Sequence, residues 1–337
     1  MRKITVKDIA REAGVSTATI SRVLNNSGYV SGEVRRRVQE VVKKYNYQPN
    51  SIARSLKQNR SRAVGLVVPD MTNPYFMAIA RRIQTVLFAA GYHLLLMDSE
   101  DDPVKERRAL AFFMEQRVEA LVIASTGRNR ENIEAIRALG IHVVLIDRRI
   151  DGLDLDIVAE DSRKAAEEAV AMLLAKGHRR IGVINGPLSV ATARERSEGV
   201  AAACSRFGVR LDPSCVVEGD FTRKSGTEAI MRLMRLPFPP TAIFSANNEM
   251  TYGLYLGLHA LGMSGDAVEV VSFGELEFSP LFRNRLTVIR QDPHALGNAA
   301  GELLIKRLEG RTGESELRLF MPRLVVEGER GEGKSIM

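Results

Sequence analysis

The sequence has few or none of the residue types and long apolar segments that several classes of protein require. It has no tryptophan, only two cysteines, and five dispersed histidines among 337 residues. Cys204 and Cys215 have no metal-ligand spacing and form no disulfide framework, so a reducing compartment is expected. No run approaches the ~20 apolar residues of a spanning helix, and MRKITVKDIA has no apolar secretory core. We therefore expect a cytoplasmic protein without a bound metal.

Motifs of common enzymes are missing too. The chain has no GxxxxGK[ST] loop, which would cradle phosphates, and no GxSxG elbow, which would expose a nucleophilic serine. We therefore expect a protein that is not an enzyme and needs no cofactor. Two alternatives remain open, a solute-binding protein and an α/β sugar-modifying enzyme. Neither explains why positive charge is concentrated at the N-terminus.

That charge is confined to one sixth of the chain. Residues 1–60 hold 13 Lys and Arg against 4 Asp and Glu, a net charge of +9, whereas the remaining residues carry −2. Surface charge that serves only solubility would be distributed more evenly along the chain. The split favours a small module that binds a polyanion, with nucleic acid as the leading partner.

Apolar spacing in residues 1–48 predicts a headpiece of three short helices. Thr5 and Ser16 can cap the first two helices, and the turn that contains Gly14 between them has the length of a helix-turn-helix. A third helix begins near Ser31 and closes a small core. The headpiece is the predicted DNA-binding module.

Residues 49–61 contain too little apolar surface to fold alone. A helix of this length is marginal in water, so the segment is predicted to be a hinge or linker that orders on binding. It leads directly into a region of different composition. The hinge would therefore connect the headpiece to the rest of the chain.

From residue 62 onward, short β-branched runs alternate with amphipathic helices. Such runs with crossover helices predict parallel sheets covered on both faces, in a doubly wound α/β body of two lobes. Lobe one is predicted over 62–160 and 290–320, and lobe two over 161–289 and 321–337. The predicted strands are 63–68, 92–98, 120–124, 142–147, 180–184, 241–246 and 268–273, with helices near 75–90, 103–117, 130–139, 162–176, 193–207, 225–235 and 249–261.

Five segments together resemble the lactose-repressor/purine-repressor (LacI/GalR) family of bacterial transcription regulators. They are TVKDIAREAGVSTATISRVLN (5–25), YQPNSIARSLK (47–57), NPYF (73–76), GHRRIGVINGP (177–187) and TAIFSANNEM (241–250). The resemblance covers almost the whole chain. It implies a helix-turn-helix headpiece, a hinge helix, and a two-lobed body like periplasmic sugar-binding proteins. A homodimeric repressor that binds near-palindromic operator DNA under the control of a small effector is the expected function.

The second helix of such a headpiece lies in the major groove with its N-terminal residues near base edges. Arg22 can bond guanine O6 and N7 in a bidentate way, so we expect it to read a base. A solvated surface arginine is the alternative. The other predicted DNA contacts of the headpiece, several of which double as helix caps, are Thr5, Ser16, Thr17, Ala18, Thr19, Ser21 and Asn25.

In the hinge, the resemblance implies a role in the minor groove. Leu56 would insert between base pairs, where apolar wedges kink the duplex, and Lys57 would help position the helix. Asn50 would cap the hinge helix, and Ala53 would allow two such helices to approach closely. Dimerisation and DNA binding are therefore expected to be coupled.

For the effector, the resemblance implies a crevice between the lobes at the carboxyl ends of the strands. Aromatic rings there cover a sugar or purine face, while Arg, Asp and Asn side chains bond hydroxyl groups. A capping or lobe-bridging role is the alternative for each residue. The matched residues are Asp70, Asn73, Phe76, Asp147, Arg148, Arg194, Arg196, Phe221 and Asn247.

Two aspartates that are common in the family are replaced here by Gly274 and Asn248. Because Arg148, Arg194 and Arg196 are retained, the charge count predicts a more positive pocket. It favours an anionic effector, either a sugar acid or a sugar phosphate. The sequence leaves open whether the effector releases DNA or promotes binding.

The assignment of Arg22 can be tested directly. Arg22→Ala should cost about 1–3 kcal/mol of binding free energy on the specific site and little on random DNA, because it removes a bidentate base contact. Gel shifts on both kinds of DNA measure the difference. Equal losses on the two would reduce Arg22 to a phosphate contact.

Overall fold

The computed structural model describes residues 4–24, 26–47, 60–277, 286–311 and 313–327. The chain divides into two compact units, residues 1–61 and 62–337. Each unit has its own apolar core. The predicted DNA-contact residues that lie outside the described residues are Asn25, Asn50, Ala53, Leu56 and Lys57.

The first unit contains the three predicted helices. Thr5 and Asp8 form a capping box, in which Asp8 N donates to Thr5 Oγ1 at 3.4 Å and Thr5 N donates to Asp8 Oδ2 at 3.0 Å. Ser16 Oγ accepts from Thr19 N at 3.1 Å and caps the second helix. The helices are α1 (Val6–Glu12), α2 (Thr17–Leu24) and α3 (Gly32–Lys44), and their core includes Ile9, Ile20, Val38 and Val41.

The second unit alternates strands and helices, as predicted. Its first half contains β1 (Ala63–Val68), α4 (Pro74–Ala89), β2 (His93–Asp98), α5 (Pro103–Glu115), β3 (Ala120–Ile123), α6 (Arg130–Ala138), β4 (His142–Ile146), β5 (Asp156–Glu160), α7 (Ser162–Ala175) and β6 (Ile181–Asn185). Its second half contains α8 (Ala191–Arg206), β7 (Val216–Glu218), α9 (Arg223–Met234), β8 (Ala242–Ser245), α10 (Asn248–Ala260), β9 (Glu269–Phe273), β10 (Leu286–Arg290), α11 (Pro293–Leu308), β11 (Leu317–Phe320) and β12 (Arg323–Glu327).

These strands form two six-stranded sheets, which define the two lobes. Lobe one has the order β11-β5-β4-β3-β1-β2, and every neighbouring pair is parallel. Lobe two has the order β12-β10-β9-β8-β6-β7, in which β12 alone runs antiparallel to its neighbour. Cys204 and Cys215 are buried and free in lobe two. The predicted doubly wound fold is confirmed.

Within the described residues the chain passes between the lobes three times, after β5, β10 and β11. Asp161 N donates to Phe320 O at 2.9 Å, which joins the first crossing to the third. Asp292 N donates to Glu160 Oε1 at 3.2 Å, which joins the second crossing to the first. Glu160 therefore lies where the chain crosses between the two lobes.

The sequence patterns missed β5, β7, β10, β11, β12 and α11. Strand β5, with the sequence DIVAE, has an acid at each end, so it is not a clean apolar run. Strand β11 lies at a sheet edge and alternates exposed with partly covered positions. Short strands of this kind give a weak periodic signal.

Helices α9 and α10 approach closely through glycine. A Cβ atom at Gly253 would lie 1.9 Å from Arg223 O, and one at Gly226 would lie 2.1 Å from Met250 O. No L side chain fits at these positions unless the helices separate. The two glycines therefore fix the distance between the helices.

We expect Gly253→Ala to lower the free energy of unfolding by about 1–3 kcal/mol, because the added methyl group overpacks the helix contact. Leu256→Ala on the exposed side of the same helix is the matched control, with an expected change within about 0.5 kcal/mol. Urea denaturation measures both. A Gly253→Ala variant as stable as the wild type would contradict the close approach.

Candidate effector cleft and DNA-binding face

Helix α2 presents the predicted reading residues to solvent. Thr17, Ala18 and Arg22 are exposed, while Thr19 and Ser21 are partly covered. Among the residues that the structure describes, none forms an ion pair with the Arg22 guanidinium. Its exposed position makes Arg22 available to a base, and the role itself stays a prediction.

Tyr29 is a further candidate DNA contact that the sequence motifs did not indicate. Its side chain is 93% exposed in the loop between α2 and α3. An aromatic ring held in water within a strongly basic module can lie against a sugar or phosphate of DNA. The available signal was a bulky aromatic residue in a loop that the small core does not need.

Lobe two supplies a buried arginine to the cleft. Arg196 on α8 is 5% exposed, its Nη1 donates to Ala246 O at 2.7 Å, and its guanidinium lies 3.6 Å from the centre of the Phe273 ring. Burial lowers the pKa of Arg196, and the nearby charge of Asp147 opposes that shift. Its Nε has no hydrogen-bond partner in the described part of the chain.

Lobe one supplies two carboxylates and a tyrosine. The Tyr75 hydroxyl donates to Asp147 Oδ1 at 3.0 Å and lies 3.5 Å from Glu160 Oε2. Glu160 also accepts from Gln291 Nε2 and from Asp292 N. Burial, which the nearby charge of Asp147 reinforces, raises the pKa of Glu160 to about 7. One hydroxyl hydrogen thus serves two carboxyl groups.

Two of the three predicted arginines are already paired. Arg148 binds Asp101 through both terminal nitrogens, one of them at 2.9 Å, and Arg194 Nη2 lies 2.7 Å from Asp151 Oδ2. The Arg148 guanidinium also lies 5.6 Å from the centre of the Phe221 ring. The predicted excess of positive charge is therefore largely neutralised within the protein.

Two predicted effector residues act in capping and bridging roles. Asn73 caps α4 and exchanges reciprocal amide hydrogen bonds of 3.1 and 3.2 Å with Asn248 in the other lobe. Asn247 Oδ1 accepts from Met250 N at 2.8 Å and its Nδ2 donates to Phe221 O at 3.0 Å. These contacts correspond to the capping or lobe-bridging role that is the alternative for each predicted effector residue.

The placements of Asp70 and Phe76 also differ from the expectation. Asp70 Oδ1 accepts from the backbone and hydroxyl of Thr72 at 2.7 and 2.6 Å, which closes a tight turn. Phe76 is buried in the apolar core of lobe one, because its position on α4 turns the ring inward. The neighbouring Tyr75 carries the polar group that reaches the cleft.

Asn185 was not among the predicted residues. It is the last residue of β6, it is 3% exposed, and its Oδ1 has no hydrogen-bond partner among the described residues. The next residue, Gly186, lies against the Phe221 ring so closely that a Cβ there would approach it to 2.1 Å. Only its position at the end of a strand could have indicated Asn185.

A cavity of about 990 Å³ opens beside this cluster. It is lined from both lobes, and none of the predicted effector residues is among its walls. Tyr75 and Gln291 contact both the cavity and Glu160. The cavity is therefore a space next to the predicted site.

The described residues contain neither a cluster of metal ligands nor a membrane-spanning helix. No group of three or more His, Cys, Asp or Glu side chains there could hold a metal ion. None of the described helices has the length and apolar character needed to cross a membrane.

Comparisons with known proteins agree with this architecture. Residues 5–50 match the family model described as bacterial regulatory proteins, lacI family, and residues 61–322 match periplasmic binding proteins and sugar binding domain of LacI family. The chain belongs to the LacI family. It is a DNA-binding transcriptional repressor with a sugar-binding domain, and it is not an enzyme.

Individual relatives extend over nearly the whole chain. The ribose operon repressor of Escherichia coli K12 is 33% identical over 96% of this chain and 99% of its own. The HTH-type transcriptional repressor PurR of Photobacterium profundum is 30% identical over 96% and 97%. The Lac repressor dimer bound to operator and the anti-inducer ONPF has a TM-score of 0.83, with 25% identity over 96% and 98%. The expected family and fold are confirmed.

The raised pKa of Glu160 predicts a pH effect on stability. Because this pKa of about 7 lies above the ordinary 4.5, the folded protein holds a proton that the unfolded chain has released. The stabilisation that this proton gives to the folded protein is fully present below pH 4.5 and is lost as the pH rises through 7. The slope is at most about 1.4 kcal/mol per pH unit.

Urea denaturation at several pH values between 5 and 8 tests this. Glu160→Gln should remove that component of the pH dependence, whereas Glu168→Gln on the exposed face of α7 should keep it. The same pH dependence in Glu160→Gln and wild type would place the proton on another group.

Proposed function

We propose that this LacI-family repressor binds near-palindromic operator DNA as a homodimer and that a neutral monosaccharide in the cleft between its lobes controls the binding. The observation that carries the proposal is the buried Arg196, which keeps one unpartnered nitrogen near two carboxyl groups of the opposite lobe. A polyol can accept from this nitrogen and donate to carboxylate oxygens.

The pairing of charges argues against the anionic effector that the arginine count favoured. Arg148 and Arg194 are matched by Asp101 and Asp151, so their charges are already balanced. An incoming phosphate or carboxylate would meet Asp147 near Arg196. Like charges at short range are costly when they are buried. The contacts therefore support a neutral sugar over a sugar acid or a sugar phosphate.

D-Ribose is the first sugar to test. A relative that is 33% identical along nearly its whole length is named a ribose operon repressor. Its name gives a chemical class, a small neutral pentose, that the balanced charges of this cleft can accept. The sugar would lie between Arg196 in lobe two and the Asp147 and Tyr75 pair in lobe one.

The dimer is proposed from the headpiece and from a structural relative. Two-fold symmetric operators require two headpieces, and the similar Lac repressor was solved as a dimer bound to operator. In this proposal Asn50, Ala53, Leu56 and Lys57 form the hinge contacts with DNA and with the second copy. Asn25 would contact a phosphate, and the exposed face of α2 would bind the major groove.

Isothermal titration with D-ribose and D-ribose 5-phosphate, together with gel shifts on the DNA upstream of its own gene, tests the proposal. D-Ribose should bind and change the operator affinity, and the phosphate should bind more weakly. Arg196→Lys keeps the charge but loses the Nε donor, so it should weaken D-ribose binding by about 10- to 100-fold.

Arg194→Ala is the control, because its guanidinium pairs with the exposed Asp151. It should leave the affinity for D-ribose within about threefold of the wild-type value. Tighter binding of the phosphate than of D-ribose would overturn the neutral-effector proposal. Failure to bind any operator fragment would overturn the proposed control of DNA binding.

A further inference from the structure

The backbone of Asn185 takes part in the hydrogen bonding of the sheet, whereas its side-chain oxygen has no partner among the described residues. Its carbonyl oxygen accepts from Gly219 N at 2.7 Å, and β6 pairs with strands on both sides. Its Oδ1, in contrast, is buried without a hydrogen-bond partner in the described residues. Because an unpaired buried acceptor destabilises a fold, such a group calls for an explanation.

The position of Asn185 places it beside the buried arginine of the cleft. Ala246 N donates to Ile184 O at 2.8 Å, so Asn185 and Ala246 lie next to each other at the ends of β6 and β8. Arg196 Nη1 binds Ala246 O, and Arg196 Nε is also unpartnered. An unused acceptor and an unused donor thus lie at the same end of one sheet.

We propose that Asn185 is a specificity-determining residue of the effector site, whose Oδ1 accepts a hydrogen bond from a sugar hydroxyl while Arg196 Nε donates to an oxygen of the same sugar. This inference rests on the proposed function. A hydroxyl group both donates and accepts, whereas a phosphate or carboxylate oxygen at neutral pH only accepts. A sugar hydroxyl at this point satisfies both groups, whereas a phosphate or carboxylate group at the same point leaves Asn185 unpaired.

A buried asparagine with a purely structural role looks different in this protein. Asn129, which follows β3 and is 4% exposed, donates from Nδ2 to Pro103 O at 2.8 Å and to Glu106 Oε1 at 2.9 Å. It holds a loop through these bonds. Asn185 holds nothing in this way, so it offers a contrast of equal burial and the same residue type.

Thermal unfolding of the protein without ligand or DNA is the first test. Asn185→Leu, which replaces the amide by an apolar group of similar size, should raise the Tm by about 2–4 °C, because it removes an unpaired buried acceptor. Asn129→Leu should lower the Tm. A decrease in Asn185→Leu like that in Asn129→Leu would show a structural partner and overturn the proposal.

Isothermal titration with D-ribose and its 2-deoxy, 3-deoxy and 5-deoxy analogues is the second test. Asn185→Leu should bind D-ribose at least tenfold more weakly than wild type. One deoxy analogue should bind the wild type more weakly than D-ribose does, because it lacks the hydroxyl that donates to Asn185 Oδ1. Asn185→Leu should bind that analogue and D-ribose with equal affinity. Equal D-ribose affinity in both proteins overturns the Asn185 assignment alone. No binding of D-ribose by the wild type overturns both the proposed effector and this assignment.

Discussion

The buried guanidinium of Arg196 is the constraint on which the arrangement of the cleft depends. A charge with so little access to water needs acceptors, aromatic faces and opposite charges inside the protein. Ala246 O and the Phe273 ring meet part of this requirement within lobe two. Asp147 of lobe one contributes opposite charge. The attraction between Arg196 and Asp147 therefore also acts between the two lobes.

Glu160 connects the lobe crossings to this cluster through hydrogen bonds. That carboxyl group ends β5, accepts from Gln291 and Asp292 at a second crossing, and shares the Tyr75 hydroxyl with Asp147. A ligand that changes the hydrogen bonding of Tyr75 or Asp147 therefore acts on residues at two lobe crossings. An effector can change DNA affinity only if it binds two lobe arrangements unequally. This network is a physical route by which such a difference could arise.

Much of the fold followed from the sequence, because glycine turns, capping residues and apolar runs are local signals. Thr5 and Ser16 capped the helices that they were expected to cap, and the seven helices predicted between residues 75 and 261 lie within a few residues of their predicted bounds. Strand β5 was missed, and Glu160 was missed with it. Motif matching also could not separate Asn73 and Asn247, which cap helices, from residues left free to bind a ligand.

The ion pairs near the cleft show the limit of counting charges along a chain. Arg148 lies 47 residues from Asp101, and Arg194 lies 43 residues from Asp151, so neither pairing is visible as a local pattern. Among the described residues, the buried side-chain atoms without a hydrogen-bond partner are of two kinds, donors on Arg148, Arg149 and Arg196 and an acceptor on Asn185. A ligand that completes both must carry hydrogen-bond donors as well as acceptors. The unmet hydrogen bonds of a site therefore constrain its ligand more closely than the net charge of its residues.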